Sequence, residues 1–261
     1  MNMLIKAEAF RDLHRGECFV IPNPWDAGSA KALAGLGFKA LATSSGAAAG
    51  VLGRRDGEIS RVEALAHARA IVEATELPVA ADLENGFGDA PADAALTIRL
   101  AGDCGLVGGS IEDFSGLAER RLYPFNQAVD RIAAAAEAAR ALPFPFMLTA
   151  RCENFLRGHP DLDDTLARLQ AYARAGADVL FAPGLPDLAA VRAVCAVCEA
   201  LDKPVNFMVG RKGASFSLVE LRDAGVRRIS LATSLYRAAM AGLLQAAGAA
   251  QQGDFGYVDR L

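Results

Sequence analysis

The sequence predicts an α/β fold, a (β/α)8 TIM barrel, and three observations carry that expectation. Eight short β-branched runs alternate with alanine-rich helical stretches from one end to the other, a pattern that implies parallel strands with right-handed crossovers. Each strand run is nearly continuously apolar, as strands covered on both faces are. The chain has 261 residues and no proline- or serine-rich linker, so residues 1–261 are expected to form a single barrel domain of ordinary size.

The elements follow in order. Residues 1–15 form an extra helix ahead of the barrel. The strands are CFVIPN (18–23), FKALATS (38–44), LPVAADL (77–83), LVGGSIED (106–113), PFMLTAR (145–151), DVLFAP (178–183), PVNFMVG (204–210) and RRISLAT (227–233). Helical periodicity covers 26–36, 60–75, 91–103, 126–141, 161–175, 187–200 and 215–224, with a last helix over 234–249. Ser60, Asp161 and Ser215 precede periodic apolar stretches and are read as N-caps. The last helix, SLYRAAMAGLLQAAGA, is apolar over more than one stripe. It is therefore expected to pack on a neighbouring subunit, giving a homotetramer or dimer.

Composition narrows the function. Apolar residues make up 52% and charged residues 22%, ample for a core and too little charge for disorder. A net charge of −4, a pI near 5.5 and no basic run argue against nucleic-acid or anionic-membrane partners. No apolar run reaches membrane-spanning length, and residues 1–17 lack the apolar core of a signal peptide, so a soluble cytoplasmic protein is expected. Cys195 and Cys198 form a C-x-x-C pair inside a helix-like stretch with no second pair, which reads as an apolar helix face, not a zinc or redox site. His14, His67 and His159 lack zinc spacing. The glycines at 102, 105, 108 and 109 do not sit at a strand-to-helix turn, as a dinucleotide loop requires.

In a barrel of this kind the site lies at the C-terminal ends of the strands. Those ends read Asn23-Pro24-Trp25-Asp26, Thr43-Ser44-Ser45-Gly46-Ala47, Asp82-Leu83-Glu84-Asn85, Glu112-Asp113, Arg151 and Asn206. Asp82 and Glu84, two apart in an extended segment, would point their carboxylates to one side. Glu112 comes from the adjacent strand and Asp56 from the loop after the second. Such a set repels itself unless a cation sits among it, and oxygen-only ligands favour Mg2+ or Mn2+. The serine-glycine turn offers backbone N–H groups to an anionic carboxylate. Arg151 calls for an anionic partner, because guanidinium is seldom buried unpaired. Trp25 fits a pocket wall and the core equally well.

Together FVIPNPWDAGSA, TSSGAAAG, ADLENGFGD, GGSIED, TARCENF, PVNFMVG and VRRISLATS resemble the isocitrate lyase and phosphoenolpyruvate mutase superfamily over essentially the whole chain. The resemblance implies that Asp82, Glu84 and Glu112 hold Mg2+, mostly through water. It also implies that Ser45, Gly46 and Ala47 bind a small-molecule carboxylate, that Asp56 positions water, and that Arg151 pairs with the carboxylate and oxyanion. Trp25 and Asn206 complete the expected substrate pocket, and the final helix is expected to be exchanged between subunits of a homotetramer. Two positions depart from the family. The lid FSGLAERRLYPF (114–125) has no cysteine, leaving Glu119 and Tyr123 as its acid/base candidates, and Pro183 stands where members carry glutamate or histidine. The expected activity is cleavage of a carbon–carbon bond in a 2-oxo or 2-hydroxy acid through a stabilised enolate, foremost decarboxylation of an oxaloacetate-like acid. Phosphorus–carbon chemistry and non-catalytic binding of a 2-oxo acid are the alternatives.

Overall fold

The computed structural model describes residues 2–117, 120–210 and 215–260. Eight parallel strands form a nearly closed barrel: β1 (Phe19–Ile21), β2 (Leu41–Ala42), β3 (Val79–Asp82), β4 (Gly108–Glu112), β7 (Met147–Arg151), β8 (Val179–Phe181), β9 (Val205–Met208) and β10 (Arg228–Ser230). Their spatial order is β1-β10-β9-β8-β7-β4-β3-β2. The remaining seam, between β1 and β2, is bridged by Ala42 N–H donating to the Pro22 carbonyl (3.1 Å) and Asn23 Nδ2 donating to the Thr43 carbonyl (2.9 Å).

Between the strands run α2 (Ala27–Gly35), α4 (Arg61–Glu73), α5 (Pro91–Asp103), α6 (Phe125–Arg140), α7 (Leu162–Arg174), α8 (Leu188–Glu199) and α9 (Leu218–Asp223), with α10 (Ser234–Gln251) last. Ser60 and Asp161 cap α4 and α7 as expected. The cap of α9 is Ser217 rather than Ser215, because Glu220 stands three residues beyond Ser217 and closes a reciprocal capping box. Cys195 and Cys198 lie on the buried face of α8, where burial pushes both thiols up to about 12, so neither is a thiolate at neutral pH.

Helix α1 (Met3–Leu13) plugs the N-terminal end of the barrel. Ala7 and Phe10 pack there with Ile21, Ala40, Ala80, Val107, Met147 and Val179. Gly108 makes this possible, since a Cβ there would stand 2.8 Å from the Phe10 ring.

Two elements were not foreseen. The stretch after β2, read as a tight turn, is a short helix, α3 (Ser45–Val51), capped by Ser44. The lid contains a hairpin of β5 (Phe114–Leu117) and β6 (Arg120–Leu122). Among the described residues no helix is long and apolar enough to cross a membrane.

Candidate active site

Barrel interiors of this type are usually filled with branched apolar side chains. Here Ala80, Gly109, Ser110, Thr149, Asn206 and Ser230 leave a cavity of about 460 Å³ that opens at the C-terminal ends of the strands. Ser45, Gly46, Asp56, Asp82 and Arg151 line its mouth.

The first turn of α3 forms one wall. Ser45 donates to Asp82 Oδ2 through Oγ (3.1 Å) and through its backbone N–H (3.4 Å), which ties this turn to the end of β3. Gly46 is required because a Cβ would meet Thr233 at 2.9 Å and the Asp56 carboxyl carbon at 3.3 Å. The Ala47 N–H points instead at its own cap, Ser44 Oγ (3.4 Å). Of the expected trio of carboxylate-binding amides, that of Ala47 is turned to its cap, while those of Ser45 and Gly46 lie at the cavity, Ser45 sharing its N–H with Asp82.

Arg151 dominates the mouth. Its Nε lies 2.5 Å from Glu153 Oε1 and 3.3 Å from Glu112 Oε2, and Nη1 lies 3.3 Å from Asp82 Oδ2. Burial would lower its pKa, but Glu153, Glu112 and Asp82 outweigh that and hold it well above the ordinary arginine range. Arg157 adds a second cation, 3.5 Å from Glu112 and 2.9 Å from Glu153, with its guanidinium over the Phe114 ring.

The carboxylates are arranged differently from the expectation. Glu84 has φ +50°, so the chain leaves the extended conformation directly after β3 and the same-side argument for Asp82 and Glu84 fails. Among the described residues no three His, Cys, Asp or Glu side chains form a ready-made metal cluster. Arg151 stands between Asp82 and Glu112 and supplies the positive charge that their proximity demands. The set nevertheless retains features that suit a hard divalent cation. Glu84 Oε1 is buried without a hydrogen-bond partner. Burial, then the charges of Asp82 and Asp56, push Glu84 up to about 8. Burial, opposed by Arg151 and reinforced by Glu153 and Asp82, also raises Glu112. These are all-oxygen donors, and a divalent cation would favour the ionised forms that burial disfavours.

The other expected residues divide. Asn206 lines the cavity, its Nδ2 donating to Ser230 Oγ (3.1 Å). Asp56 is exposed at the rim. Trp25 is half-buried outside the cavity lining, edge-on to Tyr236 at 5.9 Å. Tyr123 is engaged below the lid: its hydroxyl donates to Asp89 Oδ1 (2.7 Å) and accepts from Asn85 Nδ2 (2.9 Å), and burial with the Asp89 bond pushes it up to about 12. Glu119 lies outside the described residues. Pro183 is buried and does not line the cavity. Glu153, Arg157, Thr149 and Arg228 were not foreseen. The visible signal for Glu153 was an acid two residues beyond a strand-end arginine.

Comparison with known proteins places this geometry among relatives. The profile described as phosphoenolpyruvate phosphomutase matches residues 10–251. A solved structure from Burkholderia cenocepacia J2315, named as a candidate lyase/mutase, is 52% identical with a TM-score of 0.95, over 99% of this chain and 92% of its own. Another from the same organism, named as a candidate phosphonomutase, is 38% identical with a TM-score of 0.86, over 97% and 100%. The 2-methylisocitrate lyase of Escherichia coli strain K12 is 33% identical over 77% of this chain and 69% of its own length.

Proposed function

The chain belongs to the phosphoenolpyruvate phosphomutase family, and so to the PEP mutase/isocitrate lyase superfamily, and we propose that it is a Mg2+-dependent carbon–carbon lyase that decarboxylates an oxaloacetate-type 2-oxo acid. One observation carries the reading. Arg151 is buried and held by Asp82, Glu112 and Glu153 at the mouth of a cavity whose described lining contains no Cys, His or Tyr. The lining is thus rich in fixed charge, and the two acids that burial raises, Glu84 and Glu112, are those this reading gives to the metal rather than to proton transfer.

Retro-aldol cleavage needs a positioned base and acid, whereas decarboxylation needs mainly stabilisation of the charge left behind. In this reading the substrate carboxylate lies against Ser45 and Gly46, at helix positions whose N–H groups have no intrahelical acceptor. Arg151 faces the C2 oxygen. As the bond to the departing carboxylate breaks, its electron pair moves into the enolate, CO2 leaves, and a solvent proton completes the product. Glu153 keeps the guanidinium in place throughout. Asp82, Glu84 and Glu112 would hold Mg2+, mostly through water, and Asp56 would orient that water. The ion, when bound, supplies Lewis-acid stabilisation of the same negative charge.

The test is a panel of 2-oxo and 2-hydroxy acids with Mg2+, scored for pyruvate and, with isocitrate, for glyoxylate and succinate. Oxaloacetate should be turned over faster than isocitrate or methylisocitrate. Efficient methylisocitrate cleavage would overturn the reading. The likeness to the Burkholderia phosphonomutase supports one alternative, so phosphonopyruvate belongs in the panel, scored for phosphoenolpyruvate and free phosphate.

A further inference from the structure

The floor of the same cavity holds a second buried arginine. Arg228 opens β10 and is 6% exposed. Its Nε donates to Asn206 Oδ1 (2.8 Å) and its Nη2 to Thr149 Oγ1 (2.9 Å). Its Nη1 lies 3.2 Å from His14 Nε2. That nitrogen must be the acceptor, because His14 Nδ1 faces the Phe10 carbonyl at 2.8 Å. Burial, with Arg228 beside it, lowers His14 to about 3, so the imidazole stays neutral. None of the three partners carries negative charge.

The contrast with Arg151 is the point. Arg151 is matched by three carboxylates, while Arg228 has none among the described residues. Burial with nothing to offset it draws Arg228 down to about 9, which still leaves it cationic at neutral pH. A buried charge without a counter-charge is costly unless something else supplies one. Arg228 lines the cavity that Ser45, Gly46, Asp82 and Arg151 also line. Its contact Thr149 precedes Arg151 by two residues on β7, a rise of about 6.6 Å along the strand.

We propose that Arg228, with Asn206 and Thr149, is an anion subsite for a second carboxylate of the substrate, one that stays on the product. This rests on the decarboxylase reading. A carboxylate that departs as neutral CO2 loses its charge, so pairing it with a buried guanidinium would stabilise reactant over transition state and slow the reaction. The anion over Arg228 is therefore the far end of a retained chain. The substrate class is a 3-carboxy-2-oxo acid whose side chain at C3 ends in a further carboxylate, and the product is a 2-oxo diacid. Oxaloacetate lacks that group and is only the minimal substrate.

The test is calorimetric binding in the presence of Mg2+ with a matched pair, 2-oxoglutarate and 2-oxovalerate, which share a five-carbon chain and differ in the distal carboxylate. The wild-type protein should bind 2-oxoglutarate at least about tenfold more tightly, the scale of one charge-assisted contact. Arg228→Gln should erase the preference and leave 2-oxovalerate affinity within about threefold, while Arg228→Lys should keep part of the preference. Equal binding of the pair by the wild type, which needs no variant to fold, would overturn the subsite, and so would a preference that survives in Arg228→Gln. Absence of decarboxylase turnover with the binding preference intact would count against the proposed reaction and not against the subsite.

Discussion

Arg151 Nε and Glu153 Oε1 lie 2.5 Å apart, two residues from each other at the end of β7, and both side chains are buried. The strand end thus supplies a cation and its own anchor. Arg157, one helical turn further on, grips the other oxygen of Glu153 at 2.9 Å. Glu153→Gln keeps an amide in that place and removes the charge. Turnover should fall by about 10- to 100-fold, since small displacements of a charge-stabilising group cost that much. The chain should remain folded by circular dichroism. Unchanged turnover would show that Arg151 needs no such anchor.

Metal dependence is expected from Glu84 and Glu112, both raised by burial near Asp82. Chelation should abolish activity, and Mg2+ or Mn2+ should restore it. Asp82→Ala should cost far more activity than melting temperature, because Glu112 and Glu153 remain to balance the buried Arg151. Full turnover in chelator would refute the assignment.

The acid crowding also gives a pH signature in the metal-free protein. Glu84 sits at about 8 in the folded chain against a reference of 4.5. The folded state therefore favours its protonated form. That stabilisation is complete below about pH 4.5 and is lost as pH rises through about 8. Melting temperature in chelator should fall across this window, and Glu84→Gln should flatten the fall. A wild-type profile identical to that of Glu84→Gln would place the titration elsewhere.

The lid makes a separate prediction. Tyr123 is a strut that ties the loop after β3 to the hairpin through Asp89 and Asn85. Tyr123→Phe should lower stability by about 1 kcal/mol, the net worth of such a hydrogen bond. Oxaloacetate turnover by the Glu119→Gln, Tyr123→Phe double variant should stay within about tenfold of wild type, since loss of a general acid or base costs roughly 10²–10⁴. A larger loss would make the lid a catalyst.

Assembly can be read from α10. None of its residues is buried in the isolated chain, and Leu243 and Leu244 are 57% and 68% exposed. Light scattering at micromolar concentration should therefore return a homotetramer, or at least a dimer, with α10 covered by a neighbour. A monomer would remove helix exchange from consideration, and replacing both leucines with glutamate should dissociate the assembly.

The barrel, its eight strands and most of its helices were legible in the sequence because periodicity and caps are local properties. Ser60 and Asp161 announce their helices with no help from the rest of the chain. Asp82, Glu112 and Arg151 could be grouped for the same reason. They end β3, β4 and β7, and parallel strands deliver their C-terminal residues to one rim. The seven-residue α3 was hidden because a glycine- and alanine-rich stretch reads equally well as a turn. The alternation argument could not place Glu84, because its positive φ belongs to the loop and not to the strand. Only the tertiary structure decided how the charges were matched. Whether Arg228 meets an acid or meets His14 depends on the register around the closed barrel and on the helix that plugs it, 214 positions away. A pairing across such a distance leaves no mark on neighbouring residues. Burial and charge balance are sums over everything that surrounds a side chain, and those sums exist only once the barrel has closed.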